Sequence, residues 1–243
     1  SYLVHGEGDM LPGLIIDIYG RTAVMQAHSI GMHRCRQTIA EQLQAVMGDA
    51  LEHVYYKSET TLPFMEPENV YLIGGNADNV AVENGLKFYV DWLRGQKTGF
   101  FVDQRDNRAL LERNAKGRRV LNMFCYTGGF SVYALRGGAD VVHSVDSSAK
   151  AIELTRRNVA LNFPGYERHE AFCEDAFRFL DNSPLVSQEG KERGAGYDLI
   201  VLDPPAFAKH RGALHNALKG YTRLNQKAFE KLPSGGLLFT FSC

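Results

Sequence analysis

The sequence predicts an α/β protein: an open, doubly wound parallel sheet in the second half of the chain, with a smaller α+β domain ahead of it. Three observations carry this. Short apolar β-rich runs alternate with helix-period segments from about residue 100 onward, the pattern of parallel strands joined by crossover helices. A two-glycine turn joins the first of those strands to its helix. Acidic residues stand at the ends of three later strands.

The first half reads mainly as strands. Leu14 to Tyr19 and Thr22 to Ala27 flank Gly20-Arg21 as a hairpin, and Gly31 to Met47 reads as a helix with Cys35, Ile39, Leu43 and Val46 on one stripe. Strands follow at His53 to Tyr56 and Val70 to Ile73. Val80 to Glu83 and Leu86 to Asp91 flank Asn84-Gly85, a pair suited to a turn that needs positive φ at both central residues. The second half opens with a helix over Asp103 to Ala115. Its strands are expected at Arg119 to Phe124, Val141 to Val145, Arg168 to Phe172, Asp198 to Leu202 and Leu237 to Phe241. Helices are expected at Gly129 to Arg136, at Ser148 to Asn162 with Ala149, Ile152 and Val159 on one face, and at Ala213 to Lys231, where Tyr221, Leu224, Ala228 and Leu232 make the apolar stripe. The polar, glycine-rich stretch Asn182 to Gly196 reads as a surface loop. The domains are therefore placed at residues 1–95 and 96–243. The chain stops at Cys243 directly after a core strand, so the expectation is a catalytic domain that is incomplete at its C-terminus.

Composition narrows the class. Apolar residues make 44% and charged residues 23% of 243, the profile of a folded globular chain, and no apolar run is long enough to span a bilayer. Cys35, Cys125, Cys173 and Cys243 are scattered without a C-x-x-C pair, which argues against a disulfide framework or zinc knuckle and for the reducing cytoplasm. His28 and His33, like His210 and His215, stand five apart, a spacing that puts them on different helix faces, so no metal is expected. Lys plus Arg number 27 against 28 Asp plus Glu, so any grip on nucleic acid has to come from local patches.

The chemistry concentrates at strand ends. Asn122-Met123-Phe124-Cys125-Tyr126-Thr127-Gly128-Gly129-Phe130 leaves a strand, turns through two glycines and opens a helix, whose N-terminus presents unpaired N–H groups. A tight turn alone gives the same sequence. Asp146 follows Gly128 by 18 residues at the next strand end, where an acidic residue accepts hydrogen bonds from a ribose. It is also placed to cap the next helix, unless Ser147 or Ser148 does so. Asp175 stands after the third strand, placed for an adenine amino group or for a helix cap. Asp203-Pro204-Pro205-Ala206-Phe207 follows the fourth strand, where two prolines stiffen the backbone and an acidic side chain can grip the amino group and ring nitrogen of a base. Cys35 and Cys173 read as small buried hydrophobes, and Cys125 either as one of these or as a neighbour of a ligand in the turn.

Glycine turn, two acidic strand ends and D-P-P, in that order, resemble the Rossmann-like sheet of class I S-adenosylmethionine-dependent methyltransferases. More closely, the chain resembles bacterial large-subunit rRNA cytosine-5 methyltransferases, which combine a PUA domain, a small central domain and a Rossmann-like catalytic domain. The matching segments are Gly6 to Asp9 with Leu11 to Leu14, Lys97 to Phe101 with Asp103 to Arg105, Asn122 to Phe130, Asp203 to Phe207 and Phe241-Ser242-Cys243. Ala206 departs from the lysine frequent in relatives. The resemblance implies a first half equal to the central domain, a PUA domain outside this sequence, strand order 3-2-1-4-5, S-adenosylmethionine as cofactor, 23S rRNA as partner and a homodimer. It implies cofactor contacts from Gln104, Asn122, Phe124, Tyr126, Thr127, Gly128, Gly129, Asp146, Asp175 and Asp203, and places Phe100 and Phe101 near the cofactor or target base.

It also implies that Cys243 is the nucleophile. Carbon 5 of cytosine is a poor nucleophile until a thiolate adds at carbon 6. Asp203 then stabilises the activated base, and Pro204, Pro205, Phe207 and Lys209 line the substrate side. In a 3-2-1-4-5 sheet, Asp203 and Cys243 both follow the carboxyl ends of neighbouring strands about 4.8 Å apart, facing the crevice where ligands bind. Lys209, His210 and Arg211 are placed to meet phosphates. Three rivals are separable. A base-amine methyltransferase of RNA or DNA needs no Cys243. An NAD-dependent oxidoreductase needs G-x-G-x-x-G, which T-G-G-F lacks. A non-catalytic RNA-binding assembly factor would bind the cofactor without transferring methyl.

Overall fold

A computed structural model describes residues 2–58, 61–62, 68–77, 79–93, 100, 102–182, 196–206 and 214–241. The chain divides into two compact units, Ser1–Gln104 and Arg105–Cys243, so the division falls nine residues beyond the boundary expected after residue 95.

In the first unit the strands are β1 (Tyr2–His5), β2 (Leu14–Tyr19), β3 (Thr22–Ala27), β4 (His53–Lys57) and β5 (Asn69–Ile73), in spatial order β1-β2-β3-β4-β5. All neighbours are antiparallel except β3 and β4, whose parallel pairing follows from the helical connection between them. That connection is two helices, α1 (Ile30–Arg34) and α2 (Arg36–Met47), not the single helix expected from Gly31. Ser29 caps α1 by accepting from the Met32 N–H at 3.3 Å, and the chain bends at Cys35. The buried face of α2 centres on Ala40 rather than on the expected stripe. Ala40 is fully buried with Ile39, Leu43 and Met47 packed beside it, whereas Val46 is 85% exposed and Cys35 lies in solvent. Cys35 is thus not the buried residue its stripe position suggested. A separate ribbon pairs β6 (Val80–Glu83) with β7 (Leu86–Tyr89), and its turn residues Asn84 and Gly85 have φ of 49° and 83°, as that hairpin requires.

The second unit begins with α3 (Arg105–Asn114). It then runs β8 (Arg119–Met123), α4 (Gly129–Arg136), β9 (Val141–Asp146), α5 (Ala149–Asn162), β10 (His169–Cys173), α6 (Ala176–Asn182), β11 (Leu199–Leu202), α7 (Leu214–Lys231) and β12 (Leu237–Thr240). All five strands are parallel, in order β10-β9-β8-β11-β12, which is 3-2-1-4-5 in chain order. This is the Rossmann-like α/β fold. Strands β8 and β11 are buried at nearly every position, as expected of central strands in a parallel sheet covered on both faces, and β11 is apolar throughout. One face packs Leu121, Met123, Ile200 and Leu202 against Phe179, Tyr197, Leu224 and Ala228. The α7 stripe accordingly sits as expected, with Leu224 and Ala228 fully buried. On α5, Ile152 and Val159 are buried, but Ala149, in the first turn just after the Ser148 cap, is exposed. Cys173, the last residue of the edge strand β10, is also exposed rather than buried.

Candidate active site at the carboxyl end of the parallel sheet

The turn from β8 into α4 is held in a conformation that side chains rarely adopt. Phe124 and Tyr126 have φ of 58° and 47°, and Gly128 follows at 75°. Two non-glycine excursions within three residues of one short turn are costly, and persist only where surrounding bonds enforce them. Those bonds are present. The Cys125 N–H donates to the Val145 carbonyl at 3.1 Å, and the Gly128 N–H to the Cys125 carbonyl at 2.7 Å. The Thr155 hydroxyl donates to the Tyr126 carbonyl at 3.1 Å, and the Asn158 amide to the Thr127 carbonyl at 2.8 Å. Thr155 and Asn158 are fully buried polar residues on the inner face of α5. The sequence reading missed both. The signal was there, since each stands on the helix face shared by Ile152 and Val159, where an apolar residue is the default.

Asp146 ends β9 and ties that turn to the next. Its two carboxylate oxygens accept from the Tyr126 N–H at 3.1 Å and the Ser148 N–H at 2.9 Å. Capping of α5 falls to Ser148, whose hydroxyl accepts from the Ala151 N–H at 3.3 Å. An ionised carboxylate has about four acceptor positions, so two backbone bonds leave Asp146 capacity for a ligand's hydroxyls. Asp175 does cap: one oxygen accepts from the Arg178 N–H at 3.0 Å at the start of α6, and the side chain is exposed.

The other residues of the turn divide by burial. Phe124 and Tyr126 are half-buried at the strand end. Asn122 is 1% exposed, and its amide donates to the Ser131 hydroxyl at 2.8 Å. Its side chain is therefore committed to an internal chain that continues from Ser131 to Ser144 at 2.7 Å and from Ser144 to Nε2 of His169 at 2.8 Å. A Cβ on Gly128 would lie 2.7 Å from Thr155 Cγ2, which leaves no room for a side chain there, whereas one on Gly129 would lie 3.1 Å from Arg108 Cδ, a tight contact that the Arg108 side chain would have to relieve. Burial pushes the Cys125 thiol up to about 12, so it stays protonated at neutral pH. It is a packed residue of the turn, 3.5 Å from the Thr155 hydroxyl.

On the other side of β8, Asp203 follows β11 and is half-buried, Pro204 is buried, and Pro205 is exposed with its carbonyl 3.5 Å from the Tyr221 hydroxyl. The register pairs Leu202 with both Met123 and Thr240, and the Phe241 N–H donates to the Leu202 carbonyl at 2.9 Å. Phe241 stacks on Phe130 of α4, with ring centroids 5.5 Å apart. The ends of β8, β11 and β12 thus bring the glycine turn, Asp203 and the segment entering Ser242-Cys243 to one edge. Phe207, Lys209 and Cys243 lie outside the described residues, as do Phe101, His210 and Arg211. Gln104 closes a short turn at the end of the first unit.

Comparison with known proteins agrees with this arrangement. The family model described as S-adenosylmethionine-dependent methyltransferase matches residues 51–243. Among curated proteins, a ribosomal RNA large subunit methyltransferase I of Tolumonas auensis is 43% identical over 99% of this chain and 60% of its own length. Its namesake in Shewanella frigidimarina is 39% identical over the same shares. The chain thus spans about 60% of the length of these relatives. Among solved structures, a candidate SAM-dependent methyltransferase from Streptococcus mutans superposes with a TM-score of 0.79 at 28% identity, over 98% of this chain and 59% of that one. A methyltransferase structure complexed with SAH superposes at 0.80 and 27%, over 98% and 60%.

Proposed function

Because the chain belongs to the S-adenosylmethionine-dependent methyltransferase family, we propose that it methylates carbon 5 of a cytosine in large-subunit ribosomal RNA, with Cys243 as nucleophile and Asp203 holding the base. S-adenosylmethionine is the cofactor, and supplies an electrophilic methyl group. The turn fits it: the strained Phe124 and Tyr126 backbone, the remaining acceptor capacity of Asp146 and the exposed Asp175 lie at the ends of adjacent strands, where such folds bind nucleotides. Ribosomal RNA as the substrate is supported by the names of the relatives at 43% and 39% identity. A cytoplasmic location goes with that substrate, and among the described residues no helix is long and apolar enough to cross a membrane.

The observation that carries the cysteine mechanism is the pairing of β11 with β12. Phe241 is bonded to Leu202, the residue before Asp203, and Cys243 follows Phe241 by two residues. Asp203 thus directly follows β11, and the chain runs from the end of the neighbouring β12 toward Cys243 in sequence. In this reading the Cys243 thiolate adds to carbon 6, and Asp203 holds the base at its ring nitrogen and amino group. After carbon 5 is methylated its proton leaves, the carbon–sulfur bond breaks, and the thiolate is regenerated.

The test uses the full-length protein, labelled S-adenosylmethionine and large-subunit rRNA, with nucleoside analysis of the product. Label in 5-methylcytidine, lost in Cys243→Ser, is the expected result. Label on an exocyclic amine, or full turnover by Cys243→Ser, would overturn the cysteine mechanism in favour of a base-amine methyltransferase. Cofactor binding without transfer to rRNA would point to an assembly factor.

A further inference from the structure

Helix α7 carries Lys219, Arg223, Lys227 and Lys231 at steps of four residues, with exposed His215 one step earlier and Glu230 as its one acidic residue. Four-residue steps advance about 6 Å along a helix and turn about 40°, so the four cations form a ridge about 18 Å long that winds about a third of the way round α7. The ridge lies to the side of the buried Leu224–Ala228 stripe. Lys219 and Arg223 are exposed, and Lys227 and Lys231 partly so. On α6, Asp181 receives the Lys227 ammonium and is held below the usual carboxylate range by that hydrogen bond, then by the charges of Lys227, Lys231 and Arg223. Asp181 is thus shared among three cations of the ridge.

An ordinary solvated helix face alternates opposite charges at this spacing, because like charges four apart repel. Here three successive like-charge pairs stand on one face of a chain whose net charge is only −1. A polyanion laid along the ridge would relieve that repulsion. The ridge also has a direction. Tyr221, between Lys219 and Arg223, reaches the Pro205 carbonyl at 3.5 Å, which anchors this end of α7 to the D-P-P segment.

We propose that α7 is a track for the RNA backbone, on which Lys219, Arg223 and Lys231 contact phosphates flanking the target nucleotide as the strand leaves the crevice. The proposal rests on the RNA reading above. It gives these residues a positioning part, since phosphate contacts fix register and carry no base specificity.

The experiment measures binding of the full-length protein to a fluorescently labelled large-subunit rRNA transcript across a salt series. In Lys219→Gln/Arg223→Gln/Lys231→Gln, the slope of log affinity against log salt should shrink by about 2, at about 0.7 per lost single-strand phosphate contact. Raising salt from about 50 to about 200 mM would then cost the wild type about 18-fold more affinity than the variant. Cofactor affinity should not change, and the charge-preserving Lys219→Arg/Arg223→Lys/Lys231→Arg should keep the wild-type slope. Arg223 also lies over the Phe177 ring at 5.2 Å, so Lys219→Gln/Lys231→Gln serves if the triple variant fails to fold, with an expected change of about 1.4. A wild-type slope in the neutralised variants overturns the track while leaving the RNA reading intact. A wild type with no salt-dependent RNA binding overturns both.

Discussion

Gly128→Ala perturbs the turn between β8 and α4 in two separable ways. The residue sits at φ 75°, where a Cβ costs about 1–2 kcal/mol. The new methyl would also lie 2.7 Å from Thr155 Cγ2, 3.0 Å from Oγ1 and 3.1 Å from Cβ, an overpacking that costs about 1–3 kcal/mol. Together the substitution should destabilise the second unit by about 2–5 kcal/mol. Thr155→Ala removes the two outer atoms and leaves only Cβ. By itself it forfeits the hydrogen bond to the Tyr126 carbonyl and a buried methyl, about 1–2 kcal/mol. The double variant should therefore be less destabilised than the sum of the singles by about 1–2 kcal/mol, because the steric part has gone and the backbone part stays. Urea unfolding followed by far-ultraviolet circular dichroism measures all four species. Additivity within about 0.5 kcal/mol would refute the claim that Thr155 packs against Gly128 to shape the turn.

Three further outcomes follow from the same geometry. Asp146→Asn leaves one acceptor oxygen for the Tyr126 and Ser148 N–H groups and removes the charged acceptor offered to a ligand's hydroxyls; losing a hydrogen bond to a charged group, about 1.5–3 kcal/mol, should weaken S-adenosylmethionine binding about 10- to 100-fold by calorimetry, and an unchanged affinity would contradict the role given to Asp146. Iodoacetamide at pH 8 should modify exposed Cys35 and Cys173 in the folded protein and reach Cys125 only after unfolding, as peptide mass spectrometry would show. Burial, with the charges of His143 and Arg156, lowers His169 from 6.5 to about 4. Its neutral ring therefore contributes stability above about pH 6.5 that is lost as pH falls toward 4. His169→Asn should flatten urea-unfolding stability in that window by up to about 1.4 kcal/mol per pH unit, and an unaltered slope would show that the group is not buried as described.

The parallel sheet was legible because period and punctuation agreed along it. Apolar runs such as Leu199 to Leu202, too short for helices and flanked by helix-period segments, read as buried strands, while the strand order came from the family resemblance. The hairpin at Asn84-Gly85 was legible for a similarly local reason: few residue pairs tolerate its backbone. What the sequence hid were effects of the third dimension. A stripe drawn from Cys35 to Val46 misses the face that packs, which centres on Ala40: Cys35 lies at the break between α1 and α2 and Val46 at the edge of that face in the last turn of α2, so both are exposed. Asn122 looks like a ligand contact because it precedes the glycine turn, yet strand alternation points it at Ser131 and Ser144 in the interior. Thr155 and Asn158 stand 29 and 31 residues from the carbonyls they hold, a partnership that only the packing of α5 on the turn reveals.

The most direct test of the central claim is covalent trapping. The full-length protein is incubated with S-adenosylmethionine and large-subunit rRNA carrying 5-fluorocytidine, then resolved on a denaturing gel, and the adduct is mapped by peptide mass spectrometry. Fluorine cannot leave carbon 5 as a proton does, so the reaction should stall with the Cys243 sulfur attached to the base, and Cys243→Ala should form no adduct. Methyl incorporation into ordinary rRNA with no trapped species on the fluorinated RNA would contradict the account.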